Sequence, residues 1–289
     1  MLTSFFARLL QILIGYTPHF LLFFWDYFIY FITYHLLHYR KKVVQKNLKL
    51  AFPDKSKNYY KKIEKQFYHY FARLIIDIAI NGTTNKTKRL KYLKFENINE
   101  IKKCLSEGKN VMIALGHLNA WTTQIILSEV LEVPVYMVYK PLSNKYIDNW
   151  LRNNLHSPNT IFIDNRSAAR HILKVSKQGT PSVFLMVADQ SPATDTGVHW
   201  VDFFGINTPF HRGIEFLATK FNMPVFFADI LYIKPFEYTT KYHLIYNGEE
   251  KVESKTITQR FANVLEKAIC EHPGDYLWSH KRWKKVIKY

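Results

Sequence analysis

The chain is 289 residues long, enough to bury a sizeable core and to fit one large α/β domain with an N-terminal appendage. Forty Lys and Arg against 23 Asp and Glu leave a net charge of +17, a surplus that attracts phosphate-bearing partners: nucleic acid, anionic lipid headgroups or an acidic carrier protein. Cys104 and Cys270 lie far apart without CxxC or Cys/His spacing, which excludes the usual zinc and disulfide frameworks and leaves a reducing cytosolic environment as the expectation, with no metal and no resident cofactor.

The first forty residues separate membrane from nucleic acid. "FFARLLQILIG" and "FLLFFWDYFIYFITYHLLH" (20–38) flank Pro18, and the second is 19 residues long with a single formal charge, Asp26. That is near the length that spans a bilayer. Asp26, Thr33, His35 and His38 would be costly in hydrocarbon, so an aromatic-rich helix lying in the interface is the alternative. No small-residue cleavage site follows, and residues 1–38 are read as a retained helical membrane anchor. Residues 40–73 then hold 11 Lys and Arg against Asp54 and Glu64, which fits the cytoplasmic side of a membrane. Within them "KKVVQKNLKLAF" and "YYKKIEKQFYHYFARLIIDIAI" carry apolar residues at helical spacing, so residues 39–89 form a basic amphipathic helical region. "NGTTNKTKR" (81–89) is rich in turn formers and marks its end.

From residue 90 to 289 short apolar runs alternate with helical stretches. "VMIAL" (111–115), "VYMVY" (135–139), "TIFI" (160–163), "SVFLMVA" (182–188) and "PVFFADILYI" (224–233) read as strands. "INEIKKCLSEGK", "LNAWTTQIILSEVL", "KYIDNWLRNNL", "RSAARHILKVSKQG" and "RGIEFLATKFN" read as the helices between them. This alternation predicts an α/β fold with a largely parallel or mixed sheet flanked by helices. No GxGxxG or GxxxxGK[ST] stretch is present, so nucleotide binding lacks its usual support.

Ligands of a parallel sheet gather beyond the carboxyl ends of its strands. His117 lies there, after "VMIALG", with Gly116 allowing a tight turn and "LNAW" opening a helix whose free N–H groups would steady a developing oxyanion. The same rule places Asp189 of "VADQSP" at the end of another strand.

Several ordered blocks resemble the late acyltransferases of lipid A biosynthesis, within the wider glycerolipid acyltransferase-like group. They are "YRKKVVQKNLKLAFPDKS" (39–56), "ALGHLNAW" (114–121), "VYKPLSNKYIDNWLR" (138–152), "FLMVADQSP" (184–192), "WVDFFGINTPFHRGIEFLATKFNMPVFFADI" (200–230) and "HPGDYLWSHKRWKK" (272–285). The resemblance implies an enzyme at the cytoplasmic face of the inner membrane. It would move a fatty acyl chain from acyl carrier protein or acyl-CoA onto a lipid or glycolipid hydroxyl, lipid A-type first. A basic surface beside a membrane suits both an acidic carrier and a phosphorylated headgroup. It implies His117 as general base, with a carboxylate five residues later to orient the ring and stabilise its cation.

At that position this sequence has Thr122, and the family's Gly-Asn before the tryptophan is Asn119-Ala120. A threonine hydroxyl can fix a tautomer but cannot offset the charge of an imidazolium. Three accounts follow. Another carboxylate substitutes, Asp189 rather than the more distant Glu129. Or the acceptor needs less activation, as an aminolipid would. Or the chain is a non-catalytic relative that binds lipid or carrier. Lys140 and Arg152 match basic positions of the family, and Arg166 opens a helix; these, with Lys281 and Arg282 of "LWSHKRWKK", are candidates for holding phosphate groups. For the terminal segment the alternative is a basic helix whose tryptophans pack on the core. Trp200 and Phe203-Phe204 read as packing rather than acyl-chain lining. A nucleic-acid partner fits the charge but leaves the apolar N-terminus unexplained.

Overall fold

The computed structural model describes residues 2–155 and 157–288, with side chains from residue 8 onward. Helix α1 (Leu2–Tyr16) and α2 (Leu22–Tyr30, continued by a π-helical turn at Phe31–Leu36) are followed by α3 (Lys41–Ala51), α4 (Lys57–Asn81) and the short α5 (Lys86–Leu90). Then come β1 (Leu93–Glu96), α6 (Ile98–Ser106), β2 (Val111–Leu115), a 3₁₀ segment (Trp121–Ile126), α7 (Leu127–Val130), β3 (Val135–Tyr139), α8 (Lys145–Asn154) and β4 (Thr160–Asp164). The chain continues through α9 (Ala168–Ser176), β5 (Val183–Val187), β6 (Val198–Phe203), β7 (Ile206–His211), α10 (Gly213–Phe221), β8 (Val225–Lys234), β9 (Glu237–Tyr246) and α11 (Thr256–Glu271).

Seven strands form one sheet in the order β1-β9-β8-β2-β5-β3-β4, and β6 and β7 form a separate antiparallel hairpin. All neighbours in the large sheet are parallel except β8 and β9. β2 sits in the middle and every residue of "VMIAL" is buried, as expected of a strand covered on both faces. Its register against β5 pairs Leu115 with Val187. Two residues beyond each strand end, His117 and Asp189 therefore emerge side by side.

Helix α4 is the spine of the N-terminal half. Ser56 caps it by accepting from the Tyr59 N–H at 3.2 Å. Ile63, Phe67, Tyr70, Leu74 and Ile78 form a stripe buried in the same core as β2, β5 and α11. Ala72, Ile76 and Ala79, on another face, pack against Ile14, Leu22 and Ile29 of α1 and α2. Small residues on that face let the helices approach closely.

The break at Pro18 bends the two N-terminal helical segments by 116°. Among the described residues no single helix is long and apolar enough to cross a membrane, although this bent pair passes by length and composition. Phe20, Phe24, Tyr27, Phe28 and Phe31 are exposed. The charge within this apolar run is turned inward, with the Asp26 carboxylate 3.0 Å from Nδ1 of His69 on α4.

The strands read from apolar runs all form, within a residue or so of the expected bounds. The stretch "LNAWTTQIILSEVL" differs from the single helix expected. Asn119 adopts the left-handed region (φ 43°), and its amide donates to the Ile230 carbonyl at 2.6 Å, so a 3₁₀ segment and one α-helical turn follow instead of a continuous α-helix. The segment after α11 is a chain of turns rather than a basic helix, with Trp278 and Trp283 wholly buried. Trp278 also donates its indole N–H to the Pro273 carbonyl at 2.6 Å. Trp278→Ala is expected to lower stability by about 3–5 kcal/mol, measured as a fall in the urea midpoint at unchanged slope.

Candidate active site

His117 is held by its backbone as well as its ring. A Cβ on Gly116 would lie 2.5 Å from Cδ1 of Leu265 on α11, so glycine lets the chain leave β2 flush against that helix. The His117 N–H donates to Asp189 Oδ2 at 3.1 Å. Its carbonyl accepts from the Tyr70 hydroxyl at 3.0 Å and from the Leu277 N–H at 3.1 Å. Nδ1 of the ring lies 2.6 Å from Asp189 Oδ1. A carboxylate only accepts, so the ring carries its proton on Nδ1 and Nε2 presents a lone pair. The Gln190 amide nitrogen lies 3.1 Å from Nε2, and the Trp121 ring meets the imidazole edge-on at 4.9 Å between centroids.

Asp189 is buried, with a side chain 2 % exposed. Burial pushes its carboxyl up, but the His117 charge, hydrogen bonds from the His117 ring and backbone, and the Arg282 charge more than reverse this and hold it at about 2. The hydroxyls of Tyr70 and Tyr276 are pushed well up, first by burial and then by the Asp189 charge. His280 is pushed down to about 4, chiefly by burial. Its neutral Nε2 accepts the Ser191 N–H at 3.0 Å, a bond that protonation would turn into a clash of donors.

Thr122, the family's acid position, does not reach the histidine: it is wholly buried and its hydroxyl has no hydrogen-bond partner among the described residues. Glu129 is committed elsewhere, 2.6 Å from Arg89 Nη2 and bonded by the Ser157 hydroxyl. Asp189 is the carboxylate that meets His117. Arg282 is buried beside it, donating to the Pro209 carbonyl at 3.0 Å and lying 4.1 Å over the Phe210 ring. Partial desolvation and then the charges of Arg282, Lys140 and Lys285 hold His211 below its ordinary value.

Arg152 and Arg166 belong to the β3–β4 side. Arg152 lies 5.7 Å over Tyr139 and 5.6 Å over Phe162. Arg166 is 82 % exposed and paired with Asp164 at 2.6 Å. Lys281 is exposed. Phe203 packs within the core, as its reading as a packing residue expects. Among the described residues no group of three or more His, Cys, Asp or Glu is arranged to hold a metal. Four residues around His117 were not singled out for this site by the sequence: Tyr70, Gln190, Tyr276 and His280. Gln190 adjoins Asp189 in "VADQSP", and Tyr276 and His280 lie in the block "HPGDYLWSHKRWKK".

A histidine whose outer nitrogen is a free base and whose inner nitrogen is backed by a buried carboxylate is a site for taking a proton from a nucleophile. It stands at the carboxyl edge of a mixed α/β sheet. The bacterial lipid A biosynthesis acyltransferase family matches residues 2–285. The chain belongs to this family and is an acyltransferase. Among solved structures it is similar to the 1-acyl-sn-glycerophosphate (LPA) acyltransferase PlsC from Thermotoga maritima, at 12 % identity over 94 % of this chain and 99 % of that chain, with a TM-score of 0.39. Comparison with curated proteins gave no match.

Because the folded-state value of His280 lies below its ordinary 6.5, the unfolded chain binds the extra proton. Stability is full above about pH 6.5 and falls by up to about 3 kcal/mol as the pH drops through about 4. Urea titrations between pH 4 and 7 are expected to show this slope, and His280→Asn is expected to flatten it.

Proposed function

We propose that the protein transfers a fatty acyl chain from acyl carrier protein, or acyl-CoA, to a hydroxyl of a lipid or glycolipid of the lipid A type, with His117 as general base and Asp189 as its supporting acid. The 2.6 Å contact between His117 Nδ1 and Asp189 Oδ1 carries this reading. The acceptor hydroxyl gives its proton to Nε2 as its oxygen attacks the thioester carbon. The tetrahedral oxyanion collapses, the carbon–sulfur bond breaks, and the departing thiolate takes the proton from the imidazolium. Asp189 stabilises that cation and fixes the ring, the work that Thr122 cannot do.

Cations around the site support an anionic substrate. Lys140, which is exposed, is the proposed phosphate contact, with Lys281 and Arg152 as outer contributors, while buried Arg282 acts through its charge on Asp189. Arg166, already bonded to Asp164, contributes by general attraction. The exposed apolar face of α1 and the exposed aromatic face of α2 support attachment to a membrane surface. With the basic helices that follow, it favours the cytoplasmic face of the inner membrane.

The test is transfer of a labelled acyl group from acyl carrier protein to a total lipid extract. His117→Ala is expected to abolish product, and Asp189→Asn to lower turnover by about 10⁴, as for loss of the triad carboxylate in serine proteases. Thr122→Ala is expected to stay within about threefold of wild type, because its hydroxyl has no partner to lose. Equal damage from Thr122→Ala and Asp189→Asn would count against Asp189 as the substitute acid. Label recovered on an amine would redirect the acceptor to an aminolipid.

A further inference from the structure

Gln190 occupies the one place that the reaction needs empty. The Nδ1 proton of His117 faces Asp189, so Nε2 has only a lone pair to offer and the Gln190 amide must donate to it at 3.1 Å. An attacking hydroxyl has to sit within about 2.6–3.2 Å of the same nitrogen to hand over its proton. The side chain of Gln190 makes no other hydrogen bond among the described residues and is only partly buried, so no packing role explains its position. Its backbone, in contrast, is pinned on both sides. Asp189 is bonded to His117, and the Ser191 N–H to His280 at 3.0 Å. The amide is thus a donor with a single hydrogen-bond contact among the described residues, carried on a backbone held at both sides.

We propose that Gln190 is a catalytic residue of this acyl transfer, a deepening that rests on the general-base reading above. Its amide N–H fills the acceptor's position in the resting enzyme and, displaced by the hydroxyl, donates to the thioester carbonyl oxygen as that oxygen becomes negative. The displacement required is small. The reacting carbon bonds to the hydroxyl oxygen and its carbonyl oxygen is one bond further, a span of about 2–3 Å that rotation of three side-chain torsions covers. Three other donors nearby are engaged or sealed. The Ser191 N–H is spent on His280, the Trp121 indole N–H is shut away from solvent, and Arg282 donates to the Pro209 carbonyl. A donor released only when the acceptor arrives also leaves the thioester poorly activated toward stray water until then.

The experiment measures acyl transfer from labelled acyl carrier protein to total lipid extract by the full-length protein. It compares wild type, His117→Ala, Gln190→Ala and Gln190→Glu, with thermal unfolding of each as a control for folding. Gln190→Ala is expected to lower kcat by about 10²–10³-fold, the effect of losing one oxyanion donor, with KM for donor and acceptor within about threefold. Gln190→Glu keeps the size but offers no N–H at neutral pH, and is expected to be as slow. Unchanged kcat in Gln190→Ala would overturn the proposal. So would a higher kcat with lower acceptor KM, which would make Gln190 a plug and nothing more. In both cases the His117 reading stands if His117→Ala is dead; transfer that survives His117→Ala overturns both.

Discussion

The site depends on one buried carboxylate. Asp189 lies at the end of β5 with both oxygens committed to His117, one to the ring and one to the backbone N–H. An ionised carboxylate taken out of water costs several kcal/mol unless it is paired and hydrogen-bonded. Here the donors that make its burial tolerable are those of the reacting residue itself. The result is an imidazole whose tautomer, ring orientation and backbone position are set together, with Nε2 turned toward Gln190. Arg282 adds positive charge behind it, which suits a site expected to handle anions.

Helix α4 links this site to the apolar N-terminal pair. Its Tyr70 hydroxyl holds the His117 carbonyl. Three residues on, Arg73 bonds Asp275 at 2.7 Å, and the carbonyl of Asp275 accepts the Asn119 N–H at 2.9 Å. One turn further, Asp77 is pushed up to about 7, chiefly by burial and against the opposing Tyr238 hydrogen bond and Arg73 charge. At the level of His69 the same helix answers Asp26 of α2. The charges that look misplaced in the sequence, an aspartate in an aromatic run and another in an apolar helix, are thus the polar ties between layers. Tertiary ties of this kind leave no local pattern to read.

What was readable in the sequence follows from periodicity. β2, β3, β4, β5 and β8 are apolar runs, and their bounds agree with the expected ones within a residue or so. β9, "EYTTKYHLIY", pairs antiparallel with β8 through Thr, Lys and His, and its apolar signal is diluted accordingly. The β6–β7 hairpin and the short β1 were missed for the same reason, polar residues alternating at exposed positions. Helix α11 carries an amphipathic stripe of Ile257, Phe261, Leu265 and Ile269 that buries against the core; spacing alone was enough to find it, and it was passed over. The segment from Tyr276 to Trp283 reads as a basic helix by composition, yet its tryptophans are drawn inside and its backbone turns to reach His117.

The meeting of His117 with Asp189 rather than Thr122 shows how much a motif leaves unsaid. An acid five residues after a histidine is a local arrangement, held together by one turn of chain. Asp189 arrives from a different strand, 72 residues away, and is aligned only because β2 and β5 pair in parallel with Leu115 opposite Val187. A slip of one residue in that pairing would move the carboxylate by about 3.3 Å and turn its side chain to the other face. The contact between His117 and Asp189 is therefore tied to the register of two neighbouring strands at the centre of the sheet. The hydroxyl at 122 is a small polar group sealed in the core, away from the carboxylate that meets the His117 ring.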